Sequence, residues 1–239
     1  MNELSTIESN LAILIEQPPS TDFQDFQSTL DNVNKFCNSL DGFIFLVNNL
    51  AYFQNISSKK VSLIVLKNWC LYRWDEIPNV IHDQLKSLLF FENTRGLEEM
   101  PQDIQNIIGD SQFSFVWNTY PNEWPSFWEE LFEMDIYIIL NFLVAFCSYI
   151  STMNYDSDET FSQIKTAIRD QDADIQILTF IFEIIANSPS DLNLNVQIPF
   201  KILACLIHWI QLNFILEDGP MSVIIDALNV EQTTASALD

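Results

Sequence analysis

Glycine is scarce in this sequence, with four among 239 residues. All-β and α/β folds depend on tight turns and glycine-rich loops, so a sequence with so little glycine argues against both fold classes. The apolar residues instead recur at intervals of three and four, as in Ile77, Ile81 and Leu85, which places them on one face of an α-helix. The ranges 124–132 and 175–185 repeat this spacing. The sequence therefore predicts an all-α fold without strands.

The apolar spacing and the polar helix-start residues predict about twelve helices. Their expected bounds are 4–16, 21–39, 41–54, 58–73, 76–92, 101–119, 122–133, 135–151, 157–169, 172–187, 192–215 and 219–228. Paired helices recur about every 35 to 45 residues, a period typical of HEAT or armadillo repeats. We therefore expect an α-α superhelix of HEAT-like repeats (an ARM-like solenoid), a single domain over residues 1–239. It would hold about five helix pairs, at 21–54, 58–92, 101–133, 135–187 and 192–228.

The overall charge and the hydrophobic content exclude two classes of protein. The chain carries 10 basic and 33 acidic residues, which gives a formal net charge of −23. A nucleic-acid module that works by neutralising phosphate needs a positive surface, so this class is excluded. Hydrophobic residues make up 48% of the chain and include 19 phenylalanines. Such a chain can bury enough apolar area to fold, which excludes an unfolded acidic protein.

The basic residues are unevenly distributed. Six of the ten lie between Lys59 and Arg95, whereas residues 96–164, here called the cation-free stretch, hold none against twelve acids. A helical surface of this charge attracts basic partners, so we expect an acidic face for a basic protein. The simpler alternative is that the charge only keeps a large scaffold in solution. The Lys59–Arg95 cluster is too sparse for more than a contributory contact with RNA.

Signatures of enzymes and membrane proteins are weak. No GxSxG, HExxH, P-loop or GxGxxG motif occurs, so we expect no catalysis, cofactor or metal, and the four widely spaced cysteines favour separate buried thiols. The carboxylates at 156–159 and 170–174 are interpreted as helix caps, and His82 beside Asp83 as a solvated side chain. The longest apolar run, 136–150, is shorter than the roughly 20 residues that span a bilayer and predicts a buried helix.

Three segments carry a family resemblance. YPNEWPSFWEEL at 120–131 resembles the third-repeat junction of exportins in the importin-β (karyopherin) superfamily, where a tryptophan–proline step enters a short helix with an aromatic pair. IKTAIRDQ at 164–171 and HWIQLNFI at 208–215 look like the N-terminal region of exportin-T, the tRNA exportin. The helix order over 22–53 and 60–91 is similar as well. The resemblance covers nearly the whole chain, which corresponds to the N-terminal part of a full exportin.

The resemblance implies a solenoid whose N-terminal repeats bind the small GTPase Ran in its GTP form through the second helix of each pair. On the predicted pairing, these second helices are 41–54, 76–92 and 122–133. Their polar positions outside the apolar faces are the residues expected to face Ran: Asn48, Asn49, Asn79, Asp83, Glu129, Glu130 and Glu133.

The resemblance also implies tRNA export and shuttling between nucleus and cytoplasm, with nucleoporins as further partners and no membrane contact. We expect tRNA binding only in a full-length context, because the repeats that would enclose cargo lie outside this chain. Two alternatives stay open. One is an acidic helical-repeat scaffold that binds another basic protein, and the other is an exportin-1-like receptor fragment for protein export.

Overall fold

The computed structural model describes residues 3–16, 23–152, 159–187 and 197–206. Within these ranges the chain forms eleven α-helices and no strand, which confirms the predicted all-α class of packed helical repeats. The helices are α1 (Glu3–Ala12), α2 (Phe23–Cys37), α3 (Leu40–Asn49), α4 (Ile56–Tyr72), α5 (His82–Ser87), α6 (Gln102–Thr119), α7 (Phe127–Phe132), α8 (Ile136–Thr152), α9 (Glu159–Asp170), α10 (Ala173–Asn187) and α11 (Gln197–Leu206). The predicted helix 219–228, the end of the predicted helix 192–215 and the segment HWIQLNFI lie outside the described residues.

The turn from α2 to α3 shows how local chemistry sets these boundaries. Ser39 Oγ accepts a hydrogen bond from the Gly42 amide at 3.0 Å, which satisfies a backbone N–H that has no partner inside α3. A Cβ atom at position 42 would lie 1.9 Å from the carbonyl oxygen of Phe36. Only glycine fits this approach, because no real Cβ atom comes so close to a backbone oxygen.

The chain divides into two compact units, unit 1 (Met1–Thr119) and unit 2 (Tyr120–Asp239). In unit 1, α4 packs most extensively against α6 and also contacts α1, while α3 contacts α4 and α5. The main neighbour of α4 is therefore α6, and not the segment 76–92 with which the sequence pairs it. Helices that are not adjacent along the chain lie side by side, as expected for stacked repeats.

The predicted helix 4–16 ends already at Ala12, and three other predicted helices are shorter or interrupted. The predicted helix 41–54 ends at Asn49 and continues as a 3₁₀ turn. The predicted helix 76–92 contains Pro78, which is followed by a 3₁₀ turn, then α5, then a π-helical turn over Leu88–Glu92. The predicted helix 122–133 begins only at Phe127, because Pro125 disfavours helical backbone at the residue before it.

Unit 2 has a strongly apolar centre. α8 packs against α11, and α10 packs against α9 and α11. Phe142, Leu143 and Ile150 on α8 are fully buried, which confirms the buried helix predicted from the run 136–150. On α10 the predicted face is wrong at Ile175, whose side chain is 38% exposed. Among the described residues, no helix combines the length and the apolar character needed to cross a membrane.

Candidate functional site

The four residues of unit 1 expected to face Ran lie on neighbouring elements. Asn48 is exposed on α3, and Asn79 and Asp83 are exposed at the start of the α5 region. Asn49 is half-buried and its side-chain amide donates to the carbonyl oxygen of Phe45 at 2.8 Å. α3 contacts α5, so the elements that carry these polar side chains are neighbours in unit 1.

Val80 is an exposed apolar residue that the sequence reasoning missed. It lies beside Asn79, and 76% of its side chain is accessible to solvent. The signal was present in the sequence, because Val80 falls outside the apolar spacing that Ile77 and Ile81 follow, and both of those residues are buried. Single exposed aliphatic side chains are common on protein surfaces, so Val80 does not mark a contact by itself, but it adds apolar area beside Asn79. We refer to Asn48, Asn79, Val80 and Asp83 as the α3–α5 patch.

His82 is placed differently from the prediction of a solvated side chain. Its ring stacks on that of Trp74, with 4.3 Å between the ring centroids and 28° between the planes. The proline-containing turn ahead of α5 brings these two residues together, so the histidine is half-buried and not freely hydrated.

Of the three residues of unit 2 expected to face Ran, Glu129 and Glu130 lie on α7 and Glu133 directly follows its last residue. Glu129 and Glu133 are exposed, while Glu130 is half-buried and accepts a hydrogen bond from Ser126 Oγ at 2.6 Å. The same short helix buries Trp128 and Leu131. α7 therefore presents carboxylates to solvent on one side and anchors an apolar cluster with the other.

The tryptophan–proline segment is a packing element. Trp124, Phe127 and Trp128 are each at most 5% exposed. The Phe127 ring centroid lies 4.9 Å from those of both Trp124 and Phe142, and the Trp128 ring centroid lies 5.7 Å from that of Phe146. Edge-to-face contacts of this kind stabilise a core beyond the area they bury. We call these five side chains the aromatic cluster.

The first two segments that carried the resemblance contact each other. Tyr120 Oη, from YPNEWPSFWEEL, donates a hydrogen bond to Gln171 Oε1, from IKTAIRDQ, at 3.0 Å. Burial raises the pKa of Tyr120 to about 12. The two segments therefore meet in unit 2 at a junction between the buried Tyr120 and the exposed Gln171, although they are far apart in sequence.

At least three of the six cations in the Lys59–Arg95 cluster form ion pairs with acids. Lys60 Nζ lies 2.6 Å from an Asp103 carboxylate oxygen, and Lys67 Nζ lies 3.4 Å from one of Asp110. Arg73 forms an ion pair with Glu76. The Arg73 guanidinium also donates to the Asn38 carbonyl oxygen at 2.7 Å and lies 3.7 Å over the Trp69 ring. These three cations already have partners within the chain, which further weakens the contributory RNA contact considered from the sequence.

A groove of about 540 Å³ opens in unit 1 between the end of α1, the end of α2 and α4. Apolar side chains such as Leu14, Ile64 and Val65 line it together with Tyr72 and polar side chains at its margin. Tyr72 is 79% exposed. None of the lining residues is acidic, which sets the groove apart from the strongly acidic composition of the chain.

Residues 111–239 match the model of a family described as exportin 1-like proteins. The chain belongs to the exportin 1-like family. This is a family of nuclear transport receptors, so unit 2 and the end of α6 form an exportin-like helical region. A comparison with curated proteins gave no match.

Some candidate residues of this exportin 1-like chain lie inside the range of the family match and others lie outside it. All three segments that carried the resemblance, at 120–131, 164–171 and 208–215, lie within the matched residues. Glu129, Glu130 and Glu133 lie within it as well. The α3–α5 patch lies outside it, so its assignment to Ran remains a prediction from the helix order alone.

Proposed function

We propose that this exportin 1-like chain is the Ran-GTP-binding N-terminal region of an export receptor that resembles exportin-T. In this proposal Ran contacts the α3–α5 patch, Asn49 and the carboxylates of α7. The support for the patch is its composition, since an exposed valine, two exposed amides and an exposed carboxylate on neighbouring elements offer both apolar area and hydrogen-bonding groups. The observation on which the proposal depends most is the family match over residues 111–239.

The cargo proposed for the full-length receptor is tRNA, exported from the nucleus to the cytoplasm, with nucleoporins as further partners. Its support is the likeness of IKTAIRDQ and HWIQLNFI to exportin-T. In this chain, Lys60, Lys67 and Arg73 are bound to acids, which favours the view that most phosphate contacts come from other repeats. The full-length context is therefore part of the proposal.

Ran binding is tested with the 239-residue chain and purified Ran loaded with GTP or GDP. We expect measurable binding to the GTP form and much weaker binding to the GDP form. Asp83→Lys in the α3–α5 patch should weaken binding of Ran-GTP by about tenfold, a loss of about 1.4 kcal/mol. The matched control is Asp75→Lys, a charge reversal at another exposed acid of unit 1 outside the patch, which should change the affinity by less than about twofold. Equal binding of the two nucleotide forms contradicts the proposal.

A second candidate function is a scaffold that binds another basic protein through its acids. The cation-free stretch favours it, because Glu98, Glu99 and Asp135 are exposed there as well as the acids of α7. For such a scaffold the nucleotide on Ran makes no difference, and added salt weakens partner binding steeply. An exportin-1-like receptor for protein cargo is the remaining alternative. It shares the Ran dependence and is distinguished by protein cargo in place of tRNA in the full-length receptor.

A further inference from the structure

Two cysteines that are distant in sequence meet in unit 2. Cys147 lies on α8 and Cys205 on α11, and these two helices pack against each other. Cys205 Sγ donates a hydrogen bond to the carbonyl oxygen of Cys147 at 3.3 Å, and Cys147 Sγ lies 3.9 Å from the carbonyl oxygen of Ile202. Each thiol therefore contacts the backbone of the helix that carries the other. The sequence predicted buried thiols, which is confirmed for Cys147, whereas Cys205 is only half-buried.

The pair differs from the other two cysteines of the chain. Burial raises the pKa of Cys37 to about 11 and that of Cys70 to about 12, so both remain unreactive thiols. Cys205 is half-buried, and the hydrogen bond from the Cys147 thiol lowers its pKa. The same hydrogen bond, together with burial, keeps the Cys147 thiol protonated by raising its pKa. One thiol is thus accessible and more acidic, and its neighbour is buried beside it.

We propose that Cys205 and Cys147 are a thiol pair that a hydroperoxide converts into a disulfide, fastening α11 to α8. In the first step the Cys205 thiolate attacks a peroxide oxygen, the O–O bond breaks, and the released hydroxide takes up a proton to become water. In the second step the Cys147 sulfur attacks the Cys205 sulfenic acid, the S–S bond forms, and a second water leaves. Overall, two thiols and one hydrogen peroxide give one disulfide and two waters.

The disulfide would enclose a loop that contains α9 and α10. Closing such a loop restricts the unfolded chain, so the oxidised form should resist thermal unfolding more than the reduced form. In a reducing compartment the bond would be transient and reversible by thiols. This inference concerns unit 2 alone and does not depend on Ran binding.

The test treats the 239-residue chain with hydrogen peroxide and maps its cysteines by mass spectrometry after proteolysis without reductant. We expect a peptide pair linked through Cys147 and Cys205, lost on addition of dithiothreitol, and a rise in the thermal midpoint of about 5 °C or more. Cys205→Ser and Cys147→Ser should each abolish the link and the thermal shift, whereas Cys70→Ser, the matched control, should keep the link.

The linked peptide in the unmodified sequence is decisive even if a serine variant folds poorly. Oxidation of Cys205 to a sulfinic or sulfonic acid without a link to Cys147 overturns the proposal. A link from either residue to Cys37 or Cys70 overturns it as well.

Discussion

Each unit of this exportin 1-like chain is stabilised internally, and the main interactions differ between the two. In the described part of unit 1, side chains often bond to the backbone of another helix. Trp69 Nε1 donates to the Cys37 carbonyl oxygen at 3.0 Å, and Asn118 Nδ2 donates to that of Cys70 at 2.8 Å. The ion pairs of Lys60 and Lys67 join α4 to α6. Unit 1 has aromatic contacts as well, such as that of Phe43 with Trp69, but in the described part of unit 2 the aromatic side chains gather in the aromatic cluster.

The aromatic cluster lies within the residues that the family model matches. An aromatic cluster needs large rings at fixed positions, so it leaves a recognisable pattern such as YPNEWPSFWEEL. Hydrogen bonds from a side chain to a backbone carbonyl place no requirement on the residue that supplies the carbonyl. Substitutions at the residues that supply these carbonyls should therefore leave the bonds in place. Most of unit 1 lies outside the matched residues.

The largest effect is expected in the aromatic cluster. Trp128→Ala removes a side chain that is 2% exposed, and the resulting cavity should lower the free energy of unfolding by about 3–5 kcal/mol. Urea denaturation followed by circular dichroism measures this loss. Trp128→Phe keeps an aromatic ring at this position and should lower the free energy of unfolding by clearly less than Trp128→Ala. If Trp128→Ala lowers the free energy of unfolding by less than Asn118→Ala does, the comparison between the units is wrong.

A smaller effect is expected from the side-chain-to-backbone bonds of unit 1. Asn118→Ala removes the bonds from Nδ2 to the carbonyl oxygens of Cys70 and Ser114, both at 2.8 Å. The free energy of unfolding should fall by about 1–2 kcal/mol in the same assay. Asn68→Ala, the same substitution at an exposed position on α4, is the matched control and should change it by less than about 0.5 kcal/mol. If both variants lose the same free energy of unfolding, the two hydrogen bonds of Asn118 do not stabilise unit 1.

The smallest effect is expected from an exposed ion pair. The hydrogen bond from Lys60 holds the pKa of Asp103 below its ordinary value. Because the folded-state pKa is the lower one, the contribution to stability is present above the unfolded value of about 3.9 and disappears as the pH falls through the folded value.

Asp103→Asn should therefore lower the thermal midpoint at pH 7 by less than about 3 °C. The difference from the unmodified chain should shrink in high salt and again below about pH 4. A difference that persists at pH 2 would mean that Asp103 acts through packing and not through its charge.

The long helices could be predicted from the sequence because their apolar spacing is regular. The bounds of α4, α6, α8 and α10 lie within two residues of the predictions. The segment 76–92 could not be predicted in detail, because its apolar spacing continues smoothly through a proline turn and a π-helical turn. The packing of α4 on α6 could not be predicted either, because the spacing of apolar residues identifies the buried face of a helix but not the helix that covers it.

The candidate site was predictable in part. The exposure of Asn48, Asn79 and Asp83 agrees with their positions outside the apolar faces. Val80 was missed because the prediction considered only polar residues as contacts. The unit 1 groove and the Cys147–Cys205 pair were not accessible from sequence, since each is assembled from helices that are far apart along the chain.

The glycine of the α2–α3 turn has a use in comparing sequences. A Cβ atom at position 42 would collide with the Phe36 carbonyl oxygen, so related chains that keep this turn should also keep glycine there. Ser39, which caps the same turn, should accompany it or be replaced by another short capping residue. A glycine three positions after a capping residue thus provides a fixed point for aligning residues 1–110, the part of the chain that the exportin 1-like match does not reach.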